Sequence, residues 1–347
     1  MAGIQEFISK VSRKFSRGRD FAIDLGTKNL IIAEYGAGVV VNEPSVVAVD
    51  TITRAVKAAG SEAATMLDRT GSDVQARRPM REGTINDLEL AKKMLRYFME
   101  EVTDTRFRAL SAPSNWAIIG VPVDTDDVHK NAYFELGAYA GIGETELTDE
   151  VFAAAIGSGL KVSEPKGRMV VDIGGGTTDI AIISNGAIVV KKKVRVAGDA
   201  MDRSIRDFIR KNKDLDISLA QAEQIKKQCG GAIPLEDQEP MEITGQDLQK
   251  RRPSRREVTP DDIVEALKPP VNEIINNILG TLELTPPALA EDVYRDGVHL
   301  AGGGSKLQGL DQRVEDLTEL PVSCVKDPDN AVIKGLEIMM DQHVNSR

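Results

Sequence analysis

Two short stretches carry the residue types that hold a polyphosphate. The first is Asp24-Leu-Gly26-Thr27-Lys28, and the second is Asp172-Ile-Gly174-Gly175-Gly176-Thr177-Thr178. Glycine lets backbone amides approach phosphate oxygens with no Cβ in the way, and the threonines add hydroxyl donors. A carboxylate facing a polyphosphate repels it unless a cation lies between. Asp24 and Asp172 therefore read as outer ligands of Mg²⁺, acting through water because Mg²⁺ gives up its waters reluctantly. Ordinary hairpin turns also use Asp and Gly. Two such turns 148 positions apart, with a third glycine run at Gly302-Gly303-Gly304-Ser305, favour the phosphate reading. The third run follows a strand and precedes a helical segment, a context that puts free amides at a helix N-terminus. No GxxxxGK[ST] string occurs, which excludes a P-loop.

Periodicity indicates the elements that must position these turns. Residues 21–35 predict two strands around a turn at 25–27, and 38–50 predict two more, split at Pro44. Residues 51–84 are polar and mixed, as in a small inserted subdomain. A helix is expected over 88–103, then an apolar strand over 116–121. A helix over 124–140 follows, with Asp124 or Thr125 as N-cap. A small-residue helix at 151–160 precedes strands at 169–172, 180–184 and 187–196. Helices are expected at 201–211, 219–229 and 260–282. The polar stretch 230–260 reads as strands and loops of a second small subdomain. Its basic cluster of Lys250, Arg251, Arg252, Arg255 and Arg256 reads as solvated or facing another subunit. A strand at 297–300 leads into the third glycine run, and a strand and a helix close the chain. The echo between 21–27 and 170–178 predicts two related halves, each giving one turn to a shared cleft.

A chain of 347 residues suits two domains. No run of 18 apolar residues is present to form a spanning helix, and residues 1–20 lack the apolar core of a signal peptide. Cys229 and Cys324 have no CxxC context, which fits inert thiols in a reducing cytoplasm, and three histidines make a zinc site unexpected. A net charge of −10 argues against nucleic acid as a partner. The charge is uneven. Lys10, Arg13, Lys14, Arg17 and Arg19 against Glu6 and Asp20 give residues 1–20 a charge of +3, which leaves −13 for the rest. Within 3–17, Ile4, Phe7, Ile8, Val11 and Phe15 share one face of a helix, with Lys10, Arg13, Lys14 and Arg17 flanking or opposing it. That is the layout of an interfacial helix on an anionic membrane surface. A helix packed on the protein's own surface is the plainer alternative.

Several strings resemble the MreB family of bacterial actins almost letter for letter. They are Ile23-Asp-Leu-Gly-Thr, Asn42-Glu-Pro-Ser-Val-Val-Ala, Arg78-Pro-Met-Arg-Glu-Gly, Ala153-Ala-Ala-Ile-Gly-Ser-Gly, Met169-Val-Val-Asp-Ile-Gly-Gly-Gly-Thr-Thr, Ala222-Glu-Gln-Ile-Lys-Lys, Ala301-Gly-Gly-Gly and Leu320-Pro-Val. The resemblance implies an α/β, actin-like ATPase fold of two related halves, each a mixed sheet with helices, with a nucleotide cleft between them. Domain I would span 21–155 plus 325–347, with a small subdomain at about 51–84. Domain II would span 156–324, with a small subdomain at about 197–258. ATP or ADP with Mg²⁺ would be cradled by Gly26, Thr27, Lys28, Gly174, Gly175, Gly176, Thr178, Gly302, Gly303 and Gly304. Glu150 and Thr177 would position the attacking water, and Glu223 and Lys226, at i and i+3, would grip ribose and base. The implied protein hydrolyses ATP slowly and assembles head to tail into paired protofilaments. It would lie in the cytoplasm at the inner face of the cytoplasmic membrane, scaffolding cell shape and cell-wall synthesis with membrane proteins of that machinery. Cys324-Val-Lys-Asp-Pro resembles the magnetosome-aligning MamK actins, which makes organelle positioning the alternative. A non-polymerising kinase or phosphatase of the same superfamily would need a base on a substrate-facing insertion, and no such signature occurs. The chain departs from the family pattern at Lys28, where a small residue is usual, at Val151, where proline is usual, and at Ala197, where glycine is usual.

Overall fold

The computed structural model describes residues 19–67, 69, 71–103, 115–234 and 239–347. The amphipathic segment 3–17, with Ile4, Phe7, Ile8, Val11 and Phe15, lies outside them. The chain forms two compact units. One comprises the described residues up to Val121, Thr125–Asp149 and Ile333–Arg347; the other comprises Pro122–Asp124 and Glu150–Val332. The divisions at 149/150 and 332/333 differ from the 155/156 and 324/325 implied by the resemblance, so Glu150 opens the second unit.

In the first unit, β1 (Asp20–Leu25), β2 (Asn29–Glu34) and β3 (Gly38–Pro44) form an antiparallel meander. Then β4 (Val47–Asp50), β5 (Val56–Ala59) and β6 (Val74–Arg77) make a three-stranded sheet beside α1 (Gly60–Ala64), and β7 (Met80–Arg81) pairs with β8 (Thr84–Ile85). Helix α2 (Leu88–Val102) begins at Asp87, whose carboxylate accepts the Leu90 N–H at 3.1 Å. Its buried face carries Leu90, Met94, Leu95, Phe98 and Met99. β9 (Asn115–Val121), α3 (Asp127–Tyr139) and β10 (Ile142–Asp149) complete a sheet ordered β10-β9-β1-β2-β3. β1 reads as a continuous apolar run because it is interior: Phe21, Ala22 and Ile23 are fully buried. Two expectations are corrected here. The N-cap of α3 is Asp126, which accepts from His129 N–H at 2.8 Å, whereas Asp124 sits at φ +59° in the preceding turn. Strand β10 was not expected, because Ile-Gly-Glu-Thr-Glu-Leu-Thr-Asp has few apolar residues; as an edge strand it pairs only with β9.

In the second unit, α4 (Glu150–Gly157) precedes a second meander of β11 (Arg168–Ile173), β12 (Thr178–Ser184) and β13 (Ala187–Val194). α5 (Gly198–Asn212), β14 (Leu215–Asp216), α6 (Leu219–Cys229), β15 (Met241–Asp247) and β16 (Pro253–Val258) follow, with β14-β15-β16 as a small sheet. Part of the basic cluster is paired there: Arg255 meets Glu242 at 2.9 Å, and Arg256 meets Asp247 at 2.8 Å. The long α7 (Pro260–Glu283) opens on a capping box between Thr259 and Asp262. α8 (Pro287–Asp296), β17 (Val298–Ala301), α9 (Leu310–Thr318) and β18 (Val322–Cys324) finish a sheet ordered β13-β12-β11-β17-β18. Its core gathers Val171, Ile173, Ile180, Ile182, Ile205, Ile225, Leu267 and Ile274.

Helix α10 (Ala331–Ser346) returns to the first unit. There His343 stacks on Trp116 of β9 with ring centroids 3.9 Å apart, and Arg347 pairs with Glu144 of β10 at 3.2 Å. The two large sheets share one topology. Each is a meander whose first strand runs parallel to a later strand, itself parallel to a fifth.

Candidate functional site

The shared topology places two aspartates at equivalent positions. Asp24 is the penultimate residue of β1 and lies opposite Gly120 of β9. Asp172 is the penultimate residue of β11 and lies opposite Ala301 of β17. A glycine turn follows each.

In the first unit, a Cβ on Gly26 would come within 2.8 Å of the Asn29 carbonyl oxygen, so the turn closes only around glycine. Ser45 braces it: its hydroxyl donates to Gly26 O at 2.7 Å, and its N–H donates to Lys28 O at 2.8 Å. The Thr27 hydroxyl is buried and accepts the Gly83 N–H at 3.0 Å, which leaves its proton to donate. Ser45 is a site residue the sequence reading missed, although it lies inside the quoted Asn-Glu-Pro-Ser string.

In the second unit, Gly174 N–H bonds Thr177 O at 2.9 Å and closes the turn. The N-terminus of α5 holds the turn from behind: Gly198 N–H donates to Gly174 O at 3.2 Å, and Asp199 N–H donates to Gly175 O at 2.7 Å. Among the described residues, no acceptor takes the amides of Gly175 or Gly176. Gly302 sits at φ +77°, and a Cβ there would overlap Asp172 Oδ1 and Ile173 O. The third glycine run is thus folded directly onto the end of β11. It opens a short 3₁₀ turn, Gly303–Lys306, fastened by Ser305 Oγ donating to Gly302 O at 2.7 Å.

Three of the expected ligand side chains, Thr178, Glu223 and Lys226, have partners within the protein. Thr178 is fully buried and gives its hydroxyl proton to Val196 O at 2.7 Å, so it braces the sheet rather than a ligand. Glu223 and Lys226 meet different partners. Lys226 Nζ lies 2.7 Å from Asp202 Oδ1 and donates to Gly198 O at 2.9 Å, whereas Glu223 pairs with Lys227 at 3.0 Å. Lys226 is therefore a strut whose bond to Gly198 reaches the glycine turn. Glu150 is the first residue of α4. The next residue, Val151, is fully buried with Val123, Ala155, Val170, Ala181 and Ile183, so the valine at that position anchors α4 on β11 and β12.

Burial pushes the Asp24 carboxyl up to about 7. Burial, and then the charge of Asp172, do the same to Asp179, which is also pushed up to about 7. Asp179 faces Asp172 in the β11–β12 register and accepts the Val123 N–H at 3.2 Å. Asp172 and Asp179, face to face in one sheet, are carboxylates that a divalent cation would neutralise while keeping its water shell.

The MreB/Mbl protein family matches residues 18–347. The chain is 40% identical over 332 residues to the cell shape-determining protein MreB of Escherichia coli (strain K12), covering 93% of this chain and 94% of that one. It is 38% identical over 323 residues to the cell shape-determining protein Mbl of Bacillus subtilis (strain 168), covering 93% and 96%. Among solved structures, MreB5 of Spiroplasma citri bound to ADP superposes with a TM-score of 0.89 at 30% identity, covering 95% of this chain and 98% of that one. A MamK double helical filament shares the fold, with a TM-score of 0.77 at 21% identity. The fold is actin-like, as the turns and strings led one to expect.

Proposed function

Because this chain belongs to the MreB/Mbl family, we propose that it is a polymerising, ATP-dependent bacterial actin whose filaments lie on the cytoplasmic membrane and scaffold cell shape and cell-wall synthesis. The observation that carries the nucleotide reading is the glycine turn at 174–177, its carbonyls tied to α5 and its Gly175 and Gly176 amides left to a ligand. Relatives support it: MreB5 of Spiroplasma citri has been solved bound to ADP and bound to AMPPNP.

Asp24 and Asp172 would hold Mg²⁺ through its waters, and the ion would supply charge neutralisation on the phosphates. The turn amides and the Thr27 hydroxyl bind phosphate oxygens. Glu150 and Thr177 orient a water for in-line attack on the γ-phosphate. No strong general base is placed here, so positioning supplies most of the rate and turnover is slow. Glu150→Ala should bind ATP as tightly as the parent and release phosphate much more slowly. Equal phosphate release by the two proteins would remove Glu150 from the mechanism.

A further inference from the structure

A trans peptide unit carries its C=O and the next residue's N–H on opposite sides, so a bond accepted on one side strengthens the donor on the other. None of the described peptide bonds is cis. Behind the second glycine turn two such units stand in line. Lys226 Nζ donates to Gly198 O at 2.9 Å. The N–H of that same peptide unit, which belongs to Asp199, donates to Gly175 O at 2.7 Å. The far side of this second unit is the Gly176 N–H, one of the two amides left to a ligand. The links run without a break from an ammonium on α6, through the first turn of α5, to an amide that faces away from α5. Asp202, one helical turn along α5 from Gly198, has its Oδ1 2.7 Å from Lys226 Nζ and holds the lysine in line. The lysine side chain is 13% exposed and the aspartate's 3%, so water screens their charges little.

We propose that Lys226 is a positioning residue for the polyphosphate, acting through the Gly198–Asp199 and Gly175–Gly176 peptides to polarise and aim the Gly176 amide. This role rests on the ATP-binding reading above and deepens it: the ammonium contributes to phosphate binding without touching the nucleotide. The family resemblance implied instead a lysine that grips the nucleoside. The two roles part on chemistry. A lysine at the base distinguishes adenine from guanine and is idle toward an inorganic triphosphate. A lysine behind the turn is indifferent to the base and strengthens the hold on every polyphosphate alike. Asp202 acts with the opposite sign. Its carboxylate offsets the ammonium, so removing that charge while keeping the shape leaves more of the lysine's field on the two peptides.

The experiment measures displacement of a fluorescent ATP analogue by Mg-ATP, Mg-GTP and Mg-tripolyphosphate, alongside urea unfolding. The proteins are the parent, Lys226→Met, Lys226→Arg, Asp202→Asn and the double variant Lys226→Met/Asp202→Asn. Lys226→Met should weaken all three competitors by one common factor, roughly 3- to 10-fold. Lys226→Arg, which keeps a charge and donors, should recover most of that loss. Asp202→Asn should bind all three as tightly as the parent or more tightly. Lys226→Met leaves a buried carboxylate unpaired; the double variant does not, should show the same uniform loss, and carries the test if the single variant fails to fold. A loss confined to ATP would make Lys226 a base contact. Equal losses in Lys226→Met and Asp202→Asn, in step with lost stability, would make the pair merely structural. Parent-like affinities in Lys226→Met and the double variant would remove the relay. A parent displaced by ATP and not by tripolyphosphate would place the binding energy at the nucleoside. Each of these four results overturns the proposal and leaves the ATP-binding reading standing. A parent that binds neither the analogue nor ATP would sink both.

Discussion

Gly302 is held at φ +77° with Asp172 Oδ1 and Ile173 O each 2.4 Å from where a Cβ would stand, whereas Gly36 has a similar φ of +75° and no atom within 4 Å of an added Cβ. Gly36→Ala should therefore lose only the left-handed penalty, about 1 kcal/mol. Gly302→Ala adds overlap at the end of β11 and should lose roughly 3 kcal/mol or more together with nucleotide binding. Urea unfolding and ATP-analogue titration of the two variants check this, and equal losses would refute it. Asp50 provides a test by pH. The Thr53 and Ile52 amides donate to its carboxylate at 2.8 Å and 3.0 Å and hold it at about 2, below its ordinary 3.8. A depressed carboxylate contributes stability above its unfolded value and loses it as pH falls through the folded one. The gap in unfolding midpoint between the parent and Asp50→Asn should be full at pH 5 and should shrink between pH 4 and 2. The glycine turns that follow Asp24 and Asp172 were legible because their residue types and spacing are local. The partner of Lys226 was not, since Asp202 lies on a different helix and only tertiary packing brings the two together.

Helix limits were legible to within a few residues wherever apolar spacing and a cap coincided, as in α6 and α7. They slipped at α3, where Asp124, Thr125, Asp126 and Asp127 all resemble caps and only the backbone decides. Asp126→Ala should lower the unfolding temperature measurably, and Asp124→Ala should lower it less; the reverse order would restore the original N-cap. β10 was missed because an exposed edge strand need not be apolar, and Glu144 and Glu146 on it also guard the edge against mispairing. The leader at 3–17 gives the second element-scale prediction. One helix with five apolar residues on one face should bind anionic vesicles weakly, and a filament displaying many copies should bind them firmly. Flotation of the parent, a chain starting at Arg19 and Phe7→Glu should separate the parent from the other two, most clearly at low salt and with Mg-ATP. Equal flotation would dismiss the membrane reading.

The repeat of β3-β2-β1-β9-β10 in β13-β12-β11-β17-β18 extends the echo seen around Asp24 and Asp172 to whole sheets. Two local strings could suggest that duplication, but they could not supply β10 or the return of α10. An asymmetric chain that contacts its neighbour through unlike surfaces builds an open filament. Micromolar protein with Mg-ATP should therefore sediment, and a monodisperse monomer under all ordinary salts would contradict the assembly reading. The return of α10 also bears on synthesis. β1 through β10 leave the ribosome early, but the sheet they form is finished by His343 against Trp116 and Arg347 against Glu144, which are translated only after the whole of Glu150–Val332. The second unit, nearly continuous in sequence, can close while the first still waits for its last helix. A nascent chain stalled before residue 333 should thus hold a folded later half beside an earlier half that is still open to chaperones and proteases. The lone tryptophan, Trp116, would report the moment that half is sealed.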